Sequence, residues 1–185
     1  QQAVEATPLN SPDWPGYLNN LGICLSSRYV RNRRAEDLEG AIRAWEQAVE
    51  ATAGDSPNLP GYLNNLGNGL RDRYACCKRL QDLEEAQAAY RRACLRGQEV
   101  AEEGSVQSAR NWGNWALERG AWAEAAEAYG YGLAAMDRLL AAQLLRAEKE
   151  TWLREVREIP ARAAYALARD GQPEQAAAAM EAGRA

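Results

Sequence analysis

The chain has 185 residues, a hydrophobic fraction of 46% and a formal net charge of −4 from 22 basic and 26 acidic residues. That is enough apolar material for a sizeable core, while charges of mixed sign without a basic excess argue against a general nucleic-acid binder. Histidine is absent, so the chain has no imidazole of its own for acid–base catalysis or metal ligation.

No apolar run approaches the roughly 18 residues of a membrane span. The opening QQAVEATPLN lacks the basic and apolar regions of a signal peptide. A cytoplasmic location is therefore expected.

In chain order, the first feature is AVEA at Ala3 to Ala6, which returns at Ala48 to Ala51. Residues 1–10 accordingly read as the end of a preceding repeat helix. The return is part of a longer one: residues 3–47 laid on residues 48–92 are identical at 24 of 45 positions, including PGYLNNLG twice. A period of this length signals an array of supersecondary units that bury their apolar faces by stacking.

Leu18, Leu21, Leu25 and Tyr29 recur at helical spacing and predict one amphipathic helix. Leu38, Ala41, Ile42, Trp45, Ala48 and Val49 predict a second. Their counterparts are Leu63, Leu66, Leu70 and Tyr74, then Leu83, Ala86, Ala89, Tyr90 and Ala93. Each period is thus a helical hairpin, and Leu66 is expected to be buried between adjacent units. The segments TPLNSPDWPG and TAGDSPNLPG punctuate the hairpins, with Ser or Asp available as N-caps and proline in the first turn.

Beyond residue 104 the segment ARNWGNWALERGAWAEAAEAYGYGL keeps small or apolar residues at the same offsets with a shorter turn. Gly120 is placed to end a helix in left-handed geometry, as is Gly171 in a fourth hairpin. Residues 133–159 hold no glycine or proline, so two lengthened helices turning near 146–150 are expected. The expected units are residues 11–55, 56–103, 104–147 and 148–185, forming one all-α solenoid.

Candidate chemistry is sparse. Cys24, Cys76, Cys77 and Cys94 have neither CxxC spacing nor a disulfide framework, and buried or idle thiols are expected. The adjacent Cys76 and Cys77 are candidates for oxidation or soft-metal binding but lack further ligands at suitable spacing. Asp37, Glu39, Asp82 and Glu84 recur with the period and read as solvated helix faces rather than paired catalytic carboxylates. No GxSxG, P-loop or GxGxxG after a strand is present. No cofactor, metal site or catalytic activity is expected.

With Leu18, Leu21-Gly22, Leu25, Ala41, Trp45 and Ala48, the first unit resembles a tetratricopeptide repeat (TPR). Leu63, Leu66-Gly67, Leu70, Ala86, Tyr90 and Ala93 repeat the pattern. Ala109, Trp112-Gly113, Ala116, Gly120, Ala125 and Tyr129 follow it in the third unit, and Ala164, Leu167, Gly171, Ala176 and Met180 more weakly in the fourth. The resemblance implies a right-handed superhelix of antiparallel hairpins. Eleven residues beyond the usual 34 in the first two units imply longer helices. More narrowly, the SPDWPGYLNNLG and DLEEA units resemble repeats preceding CHAT domains in bacterial, often actinobacterial, proteins. Those are caspase-like peptidase modules whose Cys and His pair lies in the following domain.

In TPR superhelices the first (A) helices line the concave surface, so the resemblance places Asn19, Asn64, Asn68, Arg71, Arg110 and Asn114 in a peptide-binding groove. Asparagine suits that role, because its amide both donates and accepts and can pair with one peptide unit of an extended ligand. The pattern is similar to the asparagine-lined grooves of kinesin light-chain TPRs. Asn20, Asn65 and Asn111, one position on, are expected to be structural. Lysines of a carboxylate clamp are missing. The expected function is a protein-interaction scaffold for a peptide or partner protein, in a larger chain carrying an effector such as a CHAT domain. The alternative is nucleic-acid contact through Arg28, Arg31, Arg33, Arg34, Arg71, Arg73, Lys78 and Arg79 at hairpin tips. Acidic residues following them make internal ion pairs the expected fate.

Overall fold

The computed structural model describes residues 11, 13–100, 102–143 and 158–183. Among them are eight α-helices and no strand: α1 (Trp14–Asn32), α2 (Ala35–Glu50), α3 (Leu59–Cys77), α4 (Leu80–Val100), α5 (Glu102–Glu118), α6 (Trp122–Gln143), α7 (Ile159–Arg169) and α8 (Pro173–Ala182). None is long and apolar enough to cross a membrane. The chain divides into two units, residues 1–93 and 94–185. Residues 1–10 and the turn expected near 146–150 lie outside the described residues.

In the first unit α1 packs on α2, and α2 in turn on α3. The helices α1 and α3 both run 19 residues and carry proline at their second position, Pro15 and Pro60, where the missing N–H would have had no helical partner. Neither Asp13 nor Asn58 makes a side-chain cap. Instead the Ser11 and Ser56 hydroxyls accept the backbone N–H two residues on, both at 3.3 Å. These are serine turns ahead of the helix, not N-caps.

Both helices end at a non-glycine residue in the left-handed region, Arg33 (φ 56°) and Lys78 (φ 55°). Their amides return to the Tyr29 and Tyr74 carbonyls at 2.8 and 2.9 Å. Each cation also lies over the ring of that same tyrosine, at 5.5 Å for Arg33 and 5.4 Å for Lys78, an attraction that offsets part of the cost of left-handed geometry.

Apolar periodicity decides what is buried. Leu18, Leu38, Ala41, Ile42, Trp45 and Ala48 are buried between α1 and α2 and their neighbours, and Leu59 and Leu63 pack with Ala93 and Val49. Leu66 is only half-buried; Leu63 and Leu70 hold the core positions of α3.

The second unit has its own core, in which Val106 and Ala116 of α5, Ala125, Tyr129, Met136 and Leu139 of α6, Ile159 and Ala163 of α7 and Ala176 and Ala179 of α8 pack together. Here α5 packs on α6, α6 on α7 and α7 on α8. Gly120 (φ +70°) and Gly171 (φ +80°) turn α5 into α6 and α7 into α8 in the expected left-handed geometry. In the fourth hairpin Ala164 and Ala176 are buried, whereas Met180 is exposed.

The two leucines of α3 give a direct check. Leu63→Ala is expected to cost about 2 to 5 kcal/mol through a cavity at a fully buried site, and Leu66→Ala clearly less. Urea unfolding of both variants measures the difference, and equal losses would contradict this assignment of the buried face.

Candidate peptide-binding face

Each of the first three hairpins brings a glycine of its A helix against an aromatic ring of its B helix. A Cβ built on Gly22 would meet Trp45 at 2.5 Å, on Gly67 would meet Tyr90 at 2.9 Å and on Gly113 would meet Tyr129 at 2.6 Å. A side chain at any of the three would have to displace the ring, which therefore lies directly on the helix backbone.

Next to two of these glycines stands an asparagine whose carbonyl receives the phenol. The Tyr90 hydroxyl donates to Asn68 Oδ1 at 2.7 Å, and the Tyr129 hydroxyl donates to Asn114 Oδ1 at 2.6 Å. Burial pushes both phenols up, Tyr129 to about 12 against the opposing pull of Arg162, which keeps them protonated donors at neutral pH. In the first hairpin Ile23 and Trp45 occupy the corresponding places, and the buried Trp45 Nε1 has no hydrogen-bond partner among the described residues.

The other candidates fall into place individually. Asn19 accepts from Asn65 Nδ2 at 2.9 Å, a bond that ties α1 to α3. Asn64 is buried at 9% exposure, which leaves a ligand little of its surface. Asn20 is exposed, and Asn111 accepts from Gln107 at 3.0 Å. Arg71 donates to Asp72 through Nε and Nη2 at 3.0 and 2.9 Å, and Arg110 donates to Gln107 at 2.8 Å. Asn19, Asn64, Asn68 and Arg71 belong to the first unit, Arg110 and Asn114 to the second. Asn68 and Asn114 use their carbonyl oxygen, and their amide nitrogens make no bond among the described residues.

Asn19, Asn65, Asn68 and Asn114 are therefore tied to neighbouring helices rather than simply solvated, whereas Asn20 is exposed. The signal was in the repeats themselves: asparagine follows the A-helix glycine where the B-helix aromatic is tyrosine, and isoleucine follows it where that aromatic is tryptophan.

Of the four carboxylates expected on solvated faces, Glu84 is exposed and Glu39 half-buried, whereas the two aspartates are buried. Asp37 and Asp82 are 3% and 2% exposed. Asp37 accepts from Arg28 and, at 3.2 Å, from Asn32; the Arg28 guanidinium holds its carboxyl below the usual range. Asp82 accepts from Arg73 Nε and Nη2 at 3.0 and 2.7 Å, and Arg73 Nη1 reaches Glu39 at 2.7 Å. An arginine nine residues upstream thus closes the turn of each long hairpin. The same pairs occupy Arg28 and Arg73 as internal partners, as expected from the acidic residues that follow the basic tips.

No family model matches the chain, and no curated protein matches its sequence. Among solved structures it is similar to BtubC (BKLC) from P. vanneervenii, with TM-score 0.64 and 16% identity over 98% of this chain and 66% of that one, so it spans just under two thirds of that protein's length. It is also similar to the nearly identical TPR-like repeats of a kinesin-light-chain-type protein from Podosopora anserina, with TM-score 0.58 and 17% identity over 99% of this chain and 79% of that one. At such identities the likeness shows the fold: an all-α, TPR-like helical repeat.

The phenols make alkaline pH a probe of the tyrosine–asparagine bonds. Tyr129 binds its proton more tightly folded than unfolded, so its contribution is intact below the ordinary value near 10 and is lost as pH rises toward about 12. Tyr129→Phe is expected to cost about 0.5 to 1.5 kcal/mol at neutral pH and to show a shallower alkaline loss than the parent. Thermal melts of both proteins across that range supply the comparison, and identical alkaline profiles would contradict the buried donor.

Proposed function

We propose that the chain is a protein-interaction module that holds extended peptide segments against the A-helix faces of its hairpins. The observation that carries this reading is the twice-built arrangement in which a buried tyrosine hydroxyl fixes an asparagine carbonyl, Tyr90 to Asn68 and Tyr129 to Asn114. Fixing the carbonyl also fixes the amide nitrogen, whose two hydrogens remain available to a ligand.

A donor already held in place loses little conformational freedom on binding, and a backbone carbonyl accepts from it whatever the ligand's side chains. The role is narrower than two-way pairing with one peptide unit, because one carbonyl lone pair is already used. Asn19, held by Asn65, offers the same chemistry in the first unit. Each unit presents A-helix positions of its own, and the reading requires no ligand that bridges the two.

Similarity to a kinesin-light-chain-type repeat structure supports protein binding as the general role. The resemblance of these repeats to those preceding CHAT domains supports a place in a larger bacterial protein, where ligand capture would control an attached caspase-like peptidase. Catalysis would then reside in that domain, which supplies the histidine this chain lacks.

The isosteric change from asparagine to aspartate separates binding from folding. Asn68→Asp with Asn114→Asp keeps an oxygen for each tyrosine but replaces the N–H donors with acceptors. Peptides selected on the parent protein from a random display library are expected to bind the double variant more weakly, by about 0.5 to 1.5 kcal/mol per lost bond, while its melting temperature stays close to the parent's. Full-strength binding by the variant, or a library that yields no binder, would contradict the proposal.

A further inference from the structure

The last two residues of α3 are Cys76 and Cys77. Adjacent side chains on a helix diverge by about 100°, yet these two Sγ atoms lie 3.0 Å apart and both residues are exposed. The Cys76 thiol donates to the Arg73 carbonyl at 3.2 Å, so its sulfur is left to accept from the Cys77 thiol. The helix stops directly behind the pair, at Lys78 in left-handed geometry. An open cleft of about 310 Å³ is lined by Tyr29, Arg33, Asp72, Ala75 and Cys76. The other thiols differ: Cys94 is buried, and Cys24 is exposed with no sulfur at bonding distance among the described residues.

We infer that Cys76 and Cys77 form a redox modification site, a vicinal dithiol that low-molecular-weight disulfides oxidise reversibly to an intra-pair disulfide. Exposure and sulfur proximity carry the inference, and it is independent of the peptide-binding reading.

Cys77 is the attacking thiol, because the Cys76 proton is held by the Arg73 carbonyl. Burial and the neighbouring sulfur also push the Cys76 thiol up, and the thiolate is the nucleophile. The Cys77 thiolate attacks one sulfur of the disulfide RS–SR, that S–S bond breaks, and one RS⁻ leaves. Cys76, deprotonated in turn, attacks Cys77 Sγ and displaces the second RS⁻. The two cysteine protons end on two RSH molecules, so two protein thiols are oxidised as one external disulfide is reduced. The cleft beside Cys76 offers space for the departing thiol, and Arg33 a positive charge for the carboxylate of one such as glutathione.

Adjacent Cα atoms are about 3.8 Å apart across a trans peptide, shorter than the roughly 4.4 to 6.8 Å that disulfides prefer. The closed pair is therefore strained and readily reduced, and its formation unwinds the end of α3 at the turn into α4.

The full chain is treated with oxidised glutathione, alkylated, digested and read by mass spectrometry. The peptide spanning both cysteines is expected to lose two hydrogens and retain no glutathione, and dithiothreitol is expected to restore alkylation of both thiols. A stable glutathione adduct on Cys76 or Cys77 of the parent protein, or two thiols there that stay alkylatable while Cys24 reacts, would overturn the inference. Cys76→Ser is expected to stop at an adduct on Cys77, and Cys77→Ser to form its adduct several-fold more slowly; equal rates would overturn the assigned order. Phenylarsine oxide, whose arsenic condenses with two thiols and releases water, needs no variant. It is expected to bind the pair, resist excess monothiol and leave with a dithiol, whereas removal by monothiol would overturn the paired site.

Discussion

The close approach of a glycine to an aromatic ring governs the geometry of each of the first three hairpins. Gly22, Gly67 and Gly113 sit inside helices, where glycine costs about 1 kcal/mol relative to alanine. The return is a B helix close enough for Trp45, Tyr90 and Tyr129 to be buried almost completely. The proposed binding face follows from this spacing, since a phenol laid on the A-helix backbone finds its hydroxyl beside the next side chain of that helix. Asn68 and Asn114 are there to receive it.

Turn chemistry adapts to hairpin length. The two long hairpins close with a buried aspartate gripped by an arginine nine residues earlier, Arg28 with Asp37 and Arg73 with Asp82. In the shorter third hairpin Arg119 pairs with Glu124 across a turn made by left-handed Gly120. A buried carboxylate is costly without its partner, so each pair fixes how one helix leaves the other and gives the repeat a defined turn rather than a flexible link.

Much of this was legible in the sequence because it rests on spacing alone: the period, the hairpins, the A-helix glycines, and the turns at Gly120 and Gly171. What was not legible depends on where a side chain goes once helices pack. Asp37 and Asp82 share a charge pattern with solvated faces, and only the folded turn returns Arg28 and Arg73 to them. Asn64 lies one residue beyond Leu63, and the helix rotation that buries that leucine also covers the amide. Leu66 belongs to the apolar stripe by periodicity, but α3 rolls its core contacts onto Leu63 and Leu70. Arg33 and Lys78 stand where left-handed geometry suggests glycine, and nothing local announces that a tyrosine four residues earlier will support them.

A double-mutant cycle between Gly67 and Tyr90 tests the central constraint most directly. With the ring in place, Gly67→Ala forces its methyl group against Tyr90, at 2.9 Å in the present geometry, and the account predicts a loss of about 1 to 3 kcal/mol in urea unfolding. In a Tyr90→Ala background the same substitution is predicted to be neutral or stabilising, by up to about 1 kcal/mol from helix propensity. An equal effect of Gly67→Ala in both backgrounds would contradict the claim that the ring sets the helix spacing.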